Sequence, residues 1–571
     1  MSFFATTSTV SAPTRWPAPA PSIESLRAPR RALSRRLSPQ WMLALLTIGG
    51  CVALYLITGP PHDGDLAAQV ARADVFGRVG FVPWFSSWYA GLYTGGYSLV
   101  TPELMWWLGP TGLGVVCLIL TEIFGYPLLR AGSAKRAAGG ACALTVFQLG
   151  DLLAGRITFA AGAVVLLAAL LAVEKKHPLL AFGLALVASL TSPVDGLVAL
   201  LAAAAYLLWP LTRRLDDAAE AEDSAGPRDH RTRPSIGLGL GAGVGLLLIV
   251  TLFPDPGFEP FSFATMVPAL LTSIAIAILP VAGLVRRAAA LAAVLVVSCF
   301  AIHSPIGVNA TRVPLLMGAP AVIASLRGRR MVTLPVIGAL LVWPVIQLHH
   351  DVADAKDPAA KASFFAPLRQ ELQRLPATRN HRVEVVEPRT HWQVVYLEPA
   401  VTLARGWERQ LDASLNPELY SDNLTAASYR GFLDQNAVAL VAEPRGTRLD
   451  FGSDSEDRLI NTGLPYLRPI WSDPNWTLYA VDRPAPIATG AGATVTALTT
   501  TGMDLTTPTA GNVALRMRYS PYLTVTGGSV VRDTAGNAML RLWRGGAHDM
   551  HAVWSWHGAA AAVDNHFTLD R

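Results

Sequence analysis

Residues 41–348 constrain this chain most, because apolar side chains run through them with few interruptions. A hydrocarbon core about 30 Å thick takes roughly 17–25 apolar residues per helix. Runs close to that length recur at about 41–58, 105–127, 134–152, 157–173, 178–191, 193–210, 235–253, 265–284, 287–303, 312–326 and 331–348. Inside lipid each segment must satisfy its own backbone hydrogen bonds, which helices do. The pattern predicts a polytopic α-helical membrane protein of about eleven transmembrane helices, with only Ser192-Pro193 dividing the pair at 178–210. Residues 349–571 have the composition of an ordinary soluble protein. That contrast explains an overall 15% of charged residues, where a soluble domain carries roughly a quarter.

The net charge of +5 does not point to nucleic acid, because the cations sit in short clusters between apolar runs, as orientation signals do. The tail 1–37 carries Arg15, Arg27, Arg30, Arg31, Arg35 and Arg36 against the single acid Glu24. It reads as a disordered basic segment held in the cytoplasm. Arg130/Lys135/Arg136, Lys175/Lys176, Arg213/Arg214 with Arg231/Arg233, Arg286/Arg287 and Arg327/Arg329/Arg330 then fall in alternate connections on that same side. The remaining connections are poor in cations. An odd number of spans places 349–571 outside the cell membrane. The first span is expected to stay as a signal-anchor helix, since no small-x-small site precedes Pro60. The mixed-charge loop 212–234 reads as a flexible cytoplasmic linker.

The four cysteines, Cys51, Cys117, Cys142 and Cys299, all lie in apolar runs, with no CxxC and no zinc-ligand spacing. No Walker, HExxH or GxSxG motif occurs either. Polar residues gather instead in the connections predicted to be external, above all in the long first loop, 59–104. Its opening, HDGDLAAQVARADV, is compatible with a helix lying in the membrane interface, with Asp65, Gln69 and Arg72 on one face and Leu66, Val70 and Ala73 on another. Asp65 is then either a cap or ion-pair partner of Arg72, or a general base or metal ligand at the membrane boundary. The loop continues with Trp84, Trp88, Tyr89, Tyr93, Tyr97, Trp106 and Trp107. This is either an aromatic belt at the headgroups or a platform on which sugar rings pack. Asp151 and Arg156, Asp195, Asp255 and Glu259, and His303, Asn309 and Arg312 occupy the other external connections. Arg156 and Arg312 stand where spans begin, so each either snorkels to the headgroups or binds an anion such as phosphate.

Beyond 349, FFAPLRQELQRL and NLTAASYRGFLDQN have helical spacing. RVEVVEP, WQVVYLEP, AVALVAEP and WTLYAV read as strands, giving an α/β domain over 349–485. From 486, ATVTAL, NVALRMRYS, YLTVTGG, AMLRLWR and AVWSW predict a β-sandwich-like domain. The segment 391–416, holding His391, Trp392, Arg405, Trp407, Glu408 and Arg409, is either a recognition surface or a packed contact between domains.

These pieces resemble the GT-C-type integral membrane glycosyltransferases, in particular the actinobacterial polytopic membrane proteins of that superfamily. GDLAAQ with WFSSWYAGLYTGGYSL (64–99), GRITFAAG (155–162) and GVNATRVPLL (307–316) carry the resemblance. It implies transfer of a sugar from a polyprenyl-phosphate donor to a glycan or protein acceptor of the cell envelope. It also implies a carboxylate base in the first loop, for which Asp65 stands first and Asp63 second, and donor-phosphate binding by Arg312 or Arg156. Asn309, His303, Trp88 and Tyr89 complete the expected substrate-binding set. Some members use a divalent cation, and the sequence departs from the best-known members by lacking a clean DxD or paired Glu-Glu deeper in the loop, with Asp63-Gly64-Asp65 close to its N-terminal end instead. A multi-pass transporter or flippase is the alternative, although no repeat relates the two halves. A non-catalytic envelope scaffold is the third reading.

Overall fold

A helix forms over each of the eleven apolar runs in the computed structural model, which describes residues 39–132, 134, 136–208, 231–255, 257–325 and 330–568. The tail 1–37 and most of the linker 212–234 lie outside the described residues, as do Lys135, Arg213, Arg214, Arg327 and Arg329 of the basic clusters. Helix α1 covers Pro39–Thr58, and α2, Gly64–Val79, follows in the first loop. Next come α3 (Thr101–Ala131), α4 (Ala137–Leu153), α5 (Ile157–Glu174), α6 (Pro178–Thr191), α7 (Pro193–Leu207), α8 (Thr232–Leu252), α9 (Phe263–Ile278) and α10 (Gly283–Ala301). The last two are α11 (Gly318–Ser325), entered through the wide turn Val313–Met317, and α12 (Arg330–Asp354). Helices α1, α3, α5, α8 and α10 are long and apolar enough to cross a membrane, and α4, α6, α7 and α9 are shorter apolar helices. The chain is therefore a membrane protein with nine apolar helices among the described residues, five of them of full spanning length.

Local sequence sets where these helices break. Ser192 is extended and its hydroxyl accepts from the Asp195 N–H, so α7 starts afresh with Pro193 in its first turn. Gly109 leaves helical geometry at φ 66° just before Pro110, which kinks α3. Helices α6 and α8 pack with backbones almost touching. A Cβ on Gly241 would collide with the Phe182 carbonyl, which is why α8 is so rich in glycine.

After β1 (Trp84–Phe85) and β2 (Leu92–Tyr93), which form an antiparallel pair, the described residues make no further strand until the C-terminal region. There α13 (Ala362–Arg374) precedes a four-stranded sheet ordered β3-β4-β6-β5. These strands are β3 (Arg382–Val385), β4 (Val438–Pro444), β5 (Leu467–Ser472) and β6 (Trp476–Val481). Only β3 and β4 run parallel. The expected strand in WQVVYLEP is instead the short helix α14 (Gln393–Tyr396). Val394 and Val395 imitate a strand locally, but helical spacing stacks Trp392 on Tyr396 and lets the Trp392 indole N–H donate to the Asp63 carbonyl. Tertiary contact overrides β propensity here. Helices α15 (Arg409–Leu415), α16 (Ala426–Gln435) and α17 (Asp454–Ile460) complete this part.

Eight further strands, β7 (Ala488–Thr489), β8 (Thr494–Thr499), β9 (Gly502–Thr507), β10 (Gly511–Arg518), β11 (Leu523–Val525), β12 (Gly528–Arg532), β13 (Asn537–Leu542) and β14 (Gly546–Ala552), form two four-stranded sheets ordered β12-β13-β10-β7 and β11-β14-β9-β8. Val513, Leu515 and Leu540 from one sheet and Met503, Leu505 and Met550 from the other share one core, as in a sandwich. The segment AVWSW is no strand. The last strand ends at Ala552, and Trp556 opens α18 (Trp556–Thr568).

Candidate functional site

The site is built around α2. Asp63 caps it, its carboxylate accepting from the Leu66 N–H at 3.1 Å. Rather than presenting one apolar face to an interface, α2 buries Leu66, Ala67, Ala68, Gln69, Ala71 and Arg72 around most of its circumference. Gln69 fastens it to the start of α5. Its Nε2 donates to the Gly155 carbonyl at 2.7 Å, and its Oε1 accepts from the Thr158 N–H at 2.8 Å and the Thr158 hydroxyl at 2.9 Å. Gly155 adopts φ 67°, and a Cβ there would run into the Asp63 carboxylate. Only glycine suits this position.

This clamp sets Asp65, one residue into α2, against the first residue before α5. Arg156 Nε lies 3.2 Å from Asp65 Oδ2, its Nη1 lies 3.7 Å from Asp151 Oδ1 and its Nη2 lies 3.5 Å from Asp351 Oδ2. Arg312 approaches the same Asp65 oxygen at 3.9 Å and lies over the Phe159 ring. It leads into the wide turn Val313–Met317, a helix irregularity often found at functional sites. GDLAAQ, GRITF and GVNATRV, far apart in the chain, thus meet at one place. Asp65 keeps 42% of its side-chain surface, with Arg156 and Arg312 at about a fifth each, so a ligand can reach them.

Arg72 does not pair with Asp65, as the sequence allowed. It points to the C-terminal region, forms an ion pair with Glu408 and lies over the Trp88 and Tyr97 rings. Burial pushes the Glu408 carboxyl up to about 7 against the pull of Arg72. It also raises Glu259 to about 7, although Arg409 and Arg312 favour its ionised form. Asp63 is buried beside Asp65, and both facts hold its carboxyl well above the usual range. Arg72, Val75, Phe81, Phe85, Trp88 and Leu99 line an apolar cleft beside α2.

Several expected ligands sit differently. Trp88 and Tyr89 are buried; Tyr89 Oη accepts from the Glu408 N–H, and Trp88 packs against Gly406. They join the loop to the C-terminal region and offer no open sugar platform. His303 is exposed, edge-on to Phe258, and Asn309 is half-buried one turn before Arg312. Trp106 and Trp107 are exposed, as a belt requires. The Asp63-Gly64-Asp65 pair does not fit a shared cation, because the Asp63 carboxylate is buried and spent on the helix cap. The sequence reading missed Asp351, Glu408 as the partner of Arg72, and the proximity of Glu259. For Asp351 the signal was the one that flagged Arg156, a charge at the very end of an apolar run.

No protein-family model matches the chain. No curated protein matches it either. Solved structures do match, among them ArnT from Cupriavidus metallidurans bound to undecaprenyl phosphate, at 14% identity and a TM-score of 0.34, over 78% of this chain and 98% of that one. The same protein in its apo state matches at 13% identity and a TM-score of 0.33, over 77% and 97%. Similarity at this level leaves the chemistry to be argued from side chains.

Proposed function

We propose that this chain is a membrane glycosyltransferase that takes a sugar from a polyprenyl-phosphate donor and transfers it to an acceptor in the cell envelope. The observation that carries the reading is one accessible carboxylate, Asp65, held between Arg156 and Arg312 where the apolar helices meet the C-terminal region. In this reading the donor phosphate takes over the two guanidiniums, which bind phosphate in preference to a lone carboxylate. Asp65, released from them, accepts the proton of the acceptor hydroxyl as that oxygen attacks the anomeric carbon. The carbon–oxygen bond to the phosphate breaks, and polyprenyl phosphate leaves with its charge on Arg156 and Arg312. Asp151 and Asp351 hold the Arg156 side chain in place. The apolar cleft beside α2 suits the first units of a prenyl tail.

The basic connections lie on the cytoplasmic side in this reading, so donor and acceptor meet outside. The test is transfer of label from a radiolabelled polyprenyl-phosphate sugar by the purified protein supplied with cell-envelope extract. Wild type is expected to transfer, and Asp65→Asn to be slower by about two to four orders of magnitude. Transfer that persists in the variant contradicts the assignment. No transfer with any donor favours a transporter or a scaffold.

A further inference from the structure

Glu387 and His391, four residues apart after β3, and Asp450 come from two stretches of the C-terminal region, and one candidate ligand atom from each lies within 4.8 Å of the others. His391 Nδ1 is 3.7 Å from Glu387 Oε2, and Nε2 is 3.5 Å from Asp450 Oδ1. An ion takes only one imidazole nitrogen. The candidate donor atoms, one from each residue, lie within 4.8 Å of one another, against about 3.3 Å for donors around an ion bound at about 2.0 Å in a tetrahedral site, so the three side chains must draw together on binding. All three residues are about 1% exposed. Neither imidazole nitrogen makes a hydrogen bond, and Glu387 Oε2 makes none. A buried imidazole ordinarily finds a partner for at least one nitrogen. This one is held rigidly all the same, stacked on Trp407 with centroids 3.3 Å apart.

Charge points the same way. Arg405 contacts Glu384, Glu387, Asp412 and Glu456, and Arg409 contacts Asp450. Five buried carboxyl groups therefore share two guanidiniums, and a buried charge needs compensation. We propose that Glu387, His391 and Asp450 bind a divalent transition-metal ion of the zinc or manganese type, for which an imidazole with two carboxylates is a suitable donor set. Arg405 and Arg409 then orient the Glu387 and Asp450 carboxylates that they contact. The site lies directly beneath the start of α2. A Cβ on Gly64 would stand 3.2 Å from His391 Cδ2 and 3.6 Å from Trp407 Nε1. The ion would fix the surface on which the segment carrying Asp65 rests.

The experiment uses the full-length protein in detergent. After chelation and desalting, Zn2+ uptake is measured by elemental analysis, and Co2+ is added to a second sample for its visible spectrum. Wild type is expected to retain about one Zn2+ per chain, to show Co2+ bands with nitrogen ligation, and to unfold at a higher temperature with Zn2+ than without. His391→Gln and Asp450→Asn are expected to lower retention to under about a tenth of that. Wild type that takes up no Zn2+, Mn2+ or Co2+ overturns the proposal. Retention unchanged in both variants, or Co2+ bound without a nitrogen ligand, overturns it equally. Because the spectrum is read on wild type, a variant that fails to fold does not shield the idea.

Discussion

Gln69 is the side chain on which the geometry of Asp65 depends most. It satisfies the Gly155 carbonyl, the Thr158 N–H and the Thr158 hydroxyl in a buried place. Gln69→Ala strands those groups, and stability should fall by about 1–3 kcal/mol for the unsatisfied backbone, measurable by denaturant unfolding in detergent. Gly155→Ala meets both a left-handed φ of 67° and the Asp63 carboxylate. It should cost more than about 1 kcal/mol and lower transfer as well, whereas an intact rate would show that the α2–α5 contact does not position Asp65. Some of this was legible beforehand. Arg156 and Arg312 stood out because a charge beginning an apolar helix needs a reason, and Asp65 because it opens a helix in the first external loop at the membrane boundary. Trp88 and Tyr89 were misjudged because an aromatic cluster in a loop has the same composition whether it faces sugar or packs under a neighbouring domain.

At the scale of elements, α2 is a wedge between the helical region and the C-terminal region. Two ion pairs from its later turns, Arg72–Glu408 and Arg78–Glu398, hold the second side. Glu408 titrates near 7 in the fold and near its ordinary 4.5 when unfolded. Between those values the folded protein holds the extra proton, so stability from this group is full below about pH 4.5 and declines as pH rises through about 7. Glu408→Gln should flatten that part of the stability–pH curve, read from thermal unfolding at a series of pH values, while keeping an acceptor for Arg72. An unchanged slope would mean that Glu408 is ionised throughout. The wedge was visible in sequence only as a plausible helix. Its partner, 391–416, was recognised as a contact or recognition segment, but α14 hid behind two valines that suggest a strand, and helix–domain pairing leaves no periodic trace.

For the molecule as a whole, the separation of apolar and soluble halves was plain in composition, because lipid imposes its demand on every residue of a span. Crossing number was less plain. Ser192-Pro193 and Gly109-Pro110 break helices for local reasons that hydropathy does not weigh. The proposed orientation is open to a direct check. With the four native cysteines replaced, a cysteine at exposed Thr524 should react with a membrane-impermeant thiol reagent on intact cells, and one at Ser11 only after permeabilisation. The opposite pattern would put the candidate site on the side away from an external acceptor. The central claim is a division of labour, with Asp65 moving a proton and Arg156 and Arg312 holding phosphate. It is tested most directly by measuring donor binding and turnover together in Asp65→Asn and in the double variant Arg156→Gln/Arg312→Gln. The expected result is that Asp65→Asn binds polyprenyl-phosphate sugar about as tightly as wild type but turns over about 10²–10⁴-fold more slowly, while the double variant loses donor binding. Equal donor affinity in all three proteins, or full turnover in Asp65→Asn, would contradict it.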